Sequence, residues 1–241
     1  MYMGRNRFSI VSIVCLVVAL LASSSFAVDR IWNMRYTFGP DGRPAEKLAA
    51  GVGLQSDFGD QVLFPINLVG QVARDWDLGA KIDVFAYNRL SNVVASIDFG
   101  GRYRIGNSGF IELDGYFGLN RNDRTAVILT YGKEHYIAKV FSNYYEARVG
   151  VLSGVDKGDG WAQLELATQP TLHFGEHFLF MIEVTASSTI RHPIRDFMAD
   201  IIPKAEVSLG GTRIRVDFDI GILKDDNNSG KKIALFVQQA F

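Results

Sequence analysis

The chain has 241 residues, with 25 Lys and Arg against 26 Asp and Glu, one cysteine, 12% aromatics, 24 glycines and 6 prolines. A formal charge of -1 and the lack of a basic patch interleaved with aromatics exclude a nucleic-acid partner. Abundant glycine beside scarce proline excludes disorder and suits many strands joined by tight turns.

Residues 1–27 read as a separate object. Arg5 and Arg7 give a positive start, Phe8 to Ala22 is an apolar run, and Ser23-Ser24-Ser25-Phe26-Ala27 supplies small residues for cleavage. That is the pattern of a secretory signal peptide cut after Ala27, and the short run with its small-residue exit argues against a retained anchor. Cys15 lies inside this run. The expected mature chain therefore has no cysteine, which excludes disulfides, thiolate metal sites and cysteine nucleophiles. Loss of Arg5 and Arg7 takes the formal charge from -1 to -3.

Residues 28–44 form an N-terminal lead-in or an extra strand. Trp32, Met34, Tyr36 and Phe38 alternate with Asn33, Arg35 and Thr37 before a turn at Gly39-Pro40-Asp41-Gly42. Residues 45–241 then alternate with a period of two, the mark of strands with two unlike faces. Leu48, Ala50, Val52 and Leu54 open the series. Val62, Phe64, Ile66, Leu68, Gly70 and Val72 follow, facing away from Asn67 and Gln71. Pro65 cannot donate to a ladder, so a bulge is expected there. After a turn at 74–77, Leu78, Ala80, Ile82 and Val84 oppose Lys81 and Asp83.

The clearest stretch runs from Val93 to Leu119. Ala95, Ile97, Phe99, Gly101, Tyr103 and Ile105 lie on one side, and Ser96, Asp98, Gly100, Arg102 and Arg104 on the other. If Asn107, Ser108 and Gly109 form a three-residue loop with Gly109 left-handed, Arg104 faces Glu112 and Arg102 faces Asp114. The tip at 120–124 leads to Val127, Leu129 and Tyr131, and residues 132–143 are ambiguous. Tyr145, Ala147, Val149 and Val151 alternate with Glu146 and Arg148.

The last third repeats the grammar. Ala162, Leu164, Leu166 and Leu172 oppose Gln163, Glu165, Gln169 and His173; Phe178, Phe180, Ile182 and Val184 oppose Glu183 and Thr185. With a two-residue turn at Gly211-Thr212, Lys204 opposes Asp219, Ser208 opposes Arg215, and Glu206 meets the like charge of Asp217. The series closes on Ile233, Leu235, Val237 and Phe241. No apolar run after Ala27 reaches the ~20 residues of a spanning helix.

This predicts an all-β chain of about twelve antiparallel strands, within a range of ten to fourteen. A soluble sandwich alternates too. Two features favour a transmembrane β-barrel instead. Connections at 74–77, 106–109, 174–177 and 211–212 are tight, while those near 87–92, 153–160, 187–200 and 223–230 are long. That asymmetry is expected when tight turns are periplasmic and long loops external. The polar face also carries charges of both signs, as a lumen does.

The signal peptide, the cysteine-free mature chain, the alternating strands and the terminal Phe241 resemble the bacterial outer-membrane β-barrel proteins, porin-like but of no identified subfamily. The resemblance is one of architecture and covers nearly the whole mature chain. It implies a Gram-negative outer-membrane location with outer-membrane lipid as solvent. It also implies a last strand read by the barrel-assembly machinery through Ile233, Leu235, Val237 and Phe241. Gln239 departs from that pattern, which has an aromatic or apolar residue two places before the end.

No cofactor, metal or catalytic residue is assigned. His173 and His177 flank a turn with Glu176 as the only nearby carboxylate. Ser142, Ser187, Ser188 and His192 are potential nucleophiles or bases that no motif brings together. The lumen-lining candidates are Asp98, Arg102, Arg104, Glu112 and Asp114 in one cluster and Lys204, Glu206, Arg213, Arg215, Asp217 and Asp219 in a second. They point to a non-enzymatic narrow channel for small polar solutes. The alternatives are a closed barrel with a structural or surface-interaction role and an outer-membrane hydrolase.

Overall fold

The computed structural model describes residues 48–56, 62–87, 92–106, 108–119, 125–153, 161–190, 197–223 and 231–241. The expected signal peptide and residues 28–44 lie outside these, as do His192 and most of each long connection. The described residues contain twelve strands and no helix: β1 (Leu48–Ser56), β2 (Val62–Ala73), β3 (Trp76–Tyr87), β4 (Asn92–Ile105), β5 (Gly109–Gly118), β6 (Thr125–Ala138), β7 (Phe141–Ser153), β8 (Trp161–Phe174), β9 (Phe178–Thr189), β10 (Met198–Leu209), β11 (Thr212–Leu223) and β12 (Lys231–Ala240). Each pairs antiparallel with its neighbours in sequence. β1 pairs with β12 through eight residue pairs, from Ala49 with Ala240 to Ser56 with Ile233, and closes the barrel.

Closure removes the sheet edges, so every ladder has a partner, which a strand in lipid requires. Strands of about twelve residues tilted by about 40° rise roughly 30 Å, enough for the apolar band of a membrane barrel. Twelve strands at that tilt give a backbone radius of about 12 Å, so long polar side chains fill much of the interior.

The period-two pattern resolves as written. Ile66, Leu68, Leu78, Ile82, Phe99 and Leu113 are exposed on the outer face, whereas Asn67, Lys81, Asp83, Asp98 and Glu112 are buried. Aromatics gather outside near the tight turns. The Trp76 and Tyr103 rings lie 5.1 Å apart and those of Phe174 and Phe178 5.6 Å apart, as in an interfacial girdle.

The tight turns fall at Arg74–Asp75, at Gly106 and Ser108, and at Lys139–Val140, Gly175–His177 and Gly210–Gly211, all at one end of the barrel. The turn at Lys139–Val140 resolves the ambiguous stretch, because β6 and β7 run through it as one hairpin. Three expectations need correction. Gly106, not Gly109, takes the left-handed conformation, with φ 62°. The turn before β11 is Gly210–Gly211, with Gly210 at φ 62°, and not Gly211-Thr212. The β2 bulge lies at Gln71–Ala73 in the ladder to β3. At Pro65 the ladder to β1 skips Gly53 and Leu54 without a change of register.

Candidate functional site in the barrel interior

Both turn corrections move the register by two residues. An even slip keeps each side chain on its face and changes only its partner. All eleven lumen candidates therefore lie on the inward face, but in different pairs from those expected.

In the first cluster Arg102, not Arg104, opposes Glu112, with Nε donating to Oε2 at 2.8 Å. Arg104 pairs Phe110 in the ladder and reaches diagonally to Asp77, with Nε to Oδ2 at 3.0 Å. Asp114 faces Gly100, not Arg102. Lys81 stands directly opposite Asp98 and lies 2.8 Å from it and 2.8 Å from Asp83. Its side chain is 0% exposed. Lys81 and Asp83 were visible as polar-face residues but were not singled out, and Asp77, expected in a turn at 74–77, lies instead in β3 and faces inward. The Lys-x-Asp spacing, which puts both groups on one face two residues apart, is the signal that could have found the first two.

A second line of contacts crosses β6 where Gly132 lies. The Arg102 guanidinium sits 4.2 Å from the centroid of the Phe110 ring, which stacks on Tyr144 at 6.4 Å. The Tyr144 hydroxyl donates to Glu146 at 2.5 Å, and Arg148 Nε lies 2.6 Å from the same carboxylate. A Cβ on Gly132 would stand 2.6 Å from the Tyr144 hydroxyl and closer still to Phe110. The missing side chain is what lets β5 and β7 touch over β6.

In the second cluster Lys204 opposes Asp217, not Asp219. It is ion-paired with Glu183 and donates to Gln169 at 3.0 Å. Glu206 opposes Arg215, so the expected like-charge contact with Asp217 does not occur. Arg215 also holds Asp217, at 2.6 Å from Nε and 3.0 Å from the second guanidinium nitrogen. Ser208 faces Arg213, and Asp219 faces Lys232 across the β11–β12 ladder. These side chains are nearly out of solvent contact: Arg215 is 2% exposed and Glu206 1%. Each charge therefore relies on a partner inside the barrel.

One constellation joins residues that no sequence motif placed together. Ser142 Oγ lies 2.8 Å from Glu134 Oε1, to which it donates, and 2.8 Å from His173 Nε2. The carboxylate bonds the serine and not the imidazole, so it does not orient a base as a hydrolytic triad does. Ser142 is buried, inside the end with the tight turns. Ser187 faces inward on β9, Ser188 donates to the Thr189 carbonyl at 3.3 Å, and His177 is exposed in its turn.

No protein-family model and no curated protein matches the chain. Solved structures do. The COG4313 outer membrane channel from Pseudomonas putida F1 aligns with a TM-score of 0.60 at 13% identity, covering 89% of this chain and 100% of that one. The KdgM porin aligns at 0.57 and 10% identity, covering 80% of this chain and 99% of the porin. This is the fold of the outer-membrane barrels. LpxR from Salmonella typhimurium shares it, at a TM-score of 0.55 and 8% identity, with 80% and 100% covered.

Proposed function

We propose that this chain is an outer-membrane barrel serving as a narrow channel for small polar solutes. The carrying observation is the contrast between its faces. An outer surface of Leu, Ile, Val and Phe encloses an interior of paired carboxylates, guanidiniums and amines. Such an interior is costly to build in lipid unless it hydrates or conducts. Two channels among the similar folds support this reading. The non-enzymatic reading rests on the Ser142 arrangement, in which the His173 imidazole has no orienting carboxylate among the described residues.

The near-complete burial of Lys81, Glu206 and Arg215 favours a second reading, a barrel shut by its own ion pairs. Planar-bilayer recording of the refolded protein separates the two. Reproducible steps of one size establish the channel. Silence from protein shown to be folded and inserted establishes the closed barrel. Phe241 fits the role of an assembly signal: its backbone N–H donates to Leu48 O at 2.9 Å beside the β1–β12 seam, and the residue is 73% exposed.

A further inference from the structure

The inward charges are sorted along the barrel axis. On β4, Asp98 lies toward the long-loop end and Arg102 and Arg104 toward the tight turn. On β11, Arg213 and Arg215 follow the turn at once, and Asp217 and Asp219 lie farther out. In the loop-side halves of their strands, Asp83, Asp98, Asp114, Glu165, Asp200 and Asp219 are buried and face inward. Among the described residues only Lys81, Arg148, Lys204 and Lys232 answer them at that level or just below it, and Lys204 is already ion-paired with Glu183.

A second observation points the same way. Buried oxygens in that half without a hydrogen-bond donor include Asp114 Oδ1, Gln163 Oε1 and Gln55 Oε1, beside the hydroxyls of Ser96 and Thr130. Asp114 is 5% exposed, and its ladder partners, Gly100 and Ile128, carry no donor in their side chains. Buried acceptors left without donors are costly. The carboxylate and amide oxygens of Asp114, Gln163 and Gln55 can only accept, so the group that satisfies these three is a donor or a cation.

We propose that the loop-side half of the interior is a cation-attracting vestibule, so that the channel passes small cations and cationic solutes in preference to anions. This rests on the channel reading. Low-dielectric walls focus the field of the surplus carboxylates along the axis, and rings of carboxylates give cation preference in pores. The arginines at the turn end make the profile asymmetric, so current depends on the sign of the voltage. Salt at 1 M, with a Debye length near 3 Å, weakens the preference.

The test is a reversal-potential measurement on the refolded protein in a planar bilayer of uncharged lipid under a KCl gradient. A reversal potential on the potassium side, with unequal currents at opposite voltages, is expected. Conductance with a reversal potential at zero or on the chloride side overturns the vestibule and leaves the channel standing. An absence of conductance in inserted protein overturns both. Asp114→Asn keeps the shape of the side chain. Removing one charge about 8 Å from the axis lowers the cation-to-anion permeability ratio about two-fold. An unchanged ratio in a conducting Asp114→Asn variant removes Asp114 from the vestibule.

Discussion

Lys81 offers the sharpest test of whether the interior charges hold the barrel together. Its ammonium lies 2.8 Å from both Asp83 and Asp98, and the three side chains are at most 2% exposed. Lys81→Met preserves most of the volume and removes the only cation touching both carboxylates in these pairs. Two like charges then remain buried on facing strands. Truncating one partner of a buried ion pair costs about 3–5 kcal/mol, so stability should fall by about 3 kcal/mol or more. Urea unfolding in phospholipid vesicles, followed by tryptophan emission, measures the loss. The triple variant Lys81→Met, Asp83→Asn, Asp98→Asn removes the uncompensated charge along with its cause. It should recover to within about 1–2 kcal/mol of the parent, because the couplings of residues in contact do not add. If Lys81→Met unfolds within about 0.5 kcal/mol of the parent, the triad is a bystander and the argument from buried pairing fails.

Further predictions concern packing, a turn and assembly. Gly132→Ala puts a methyl 2.6 Å from the Tyr144 hydroxyl; overpacking of this kind costs about 1–3 kcal/mol, read by the same urea titration. Gly210→Ala meets open space but must hold φ near 62°, and the left-handed conformation costs an alanine about 1 kcal/mol. Phe241→Ser should lower the amount of barrel in outer-membrane fractions several-fold while refolding into vesicles proceeds unchanged. Equal losses in both assays would mean that Phe241 acts on folding and not on recognition.

What could be read in the sequence was the face of each residue, and what could not was its partner. Alternation alone put Asp98, Arg102 and Glu112 on one side, since the pleat has a period of two. Pairing depends on which glycine of a turn takes positive φ. Gly106 and Gly109 were equally eligible, as were Gly210 and Gly211. In both turns the earlier glycine takes it, and the register moves by two. The β6–β7 turn was hidden for a different reason. Lys139 and Val140 carry none of the residues that announce turns, and Gly132 lies inside β6, placed there by the rings that cross it. Pro65 misled in the opposite direction. It pairs with Asp83 of β3 in the ladder, and the strand accommodates it by a gap opposite Gly53 and Leu54.

Local turn chemistry is therefore a weak guide to register here, and closure explains why. In an open sheet one hairpin can slip at the cost of its own contacts. In a closed barrel a slip at β4–β5 shifts every later strand against β1, or else opens the seam between β1 and β12. That seam carries tight packing of its own: a Cβ on Gly53 would stand 2.8 Å from both the Phe236 ring and Pro65, so these groups fit at one register only. The consequence can be measured with cysteine pairs in a Cys15→Ser background. Tyr103 and Ile111 are ladder partners, with Cβ atoms expected about 5 Å apart. Tyr103→Cys with Ile111→Cys should form a disulfide under mild oxidation of the folded barrel. Ile105→Cys with Ile111→Cys lies one diagonal away, about 7 Å between Cβ atoms, beyond the reach of an unstrained bridge. A faster cross-link in the second pair would show that the turn, and not the closed ring, sets the register.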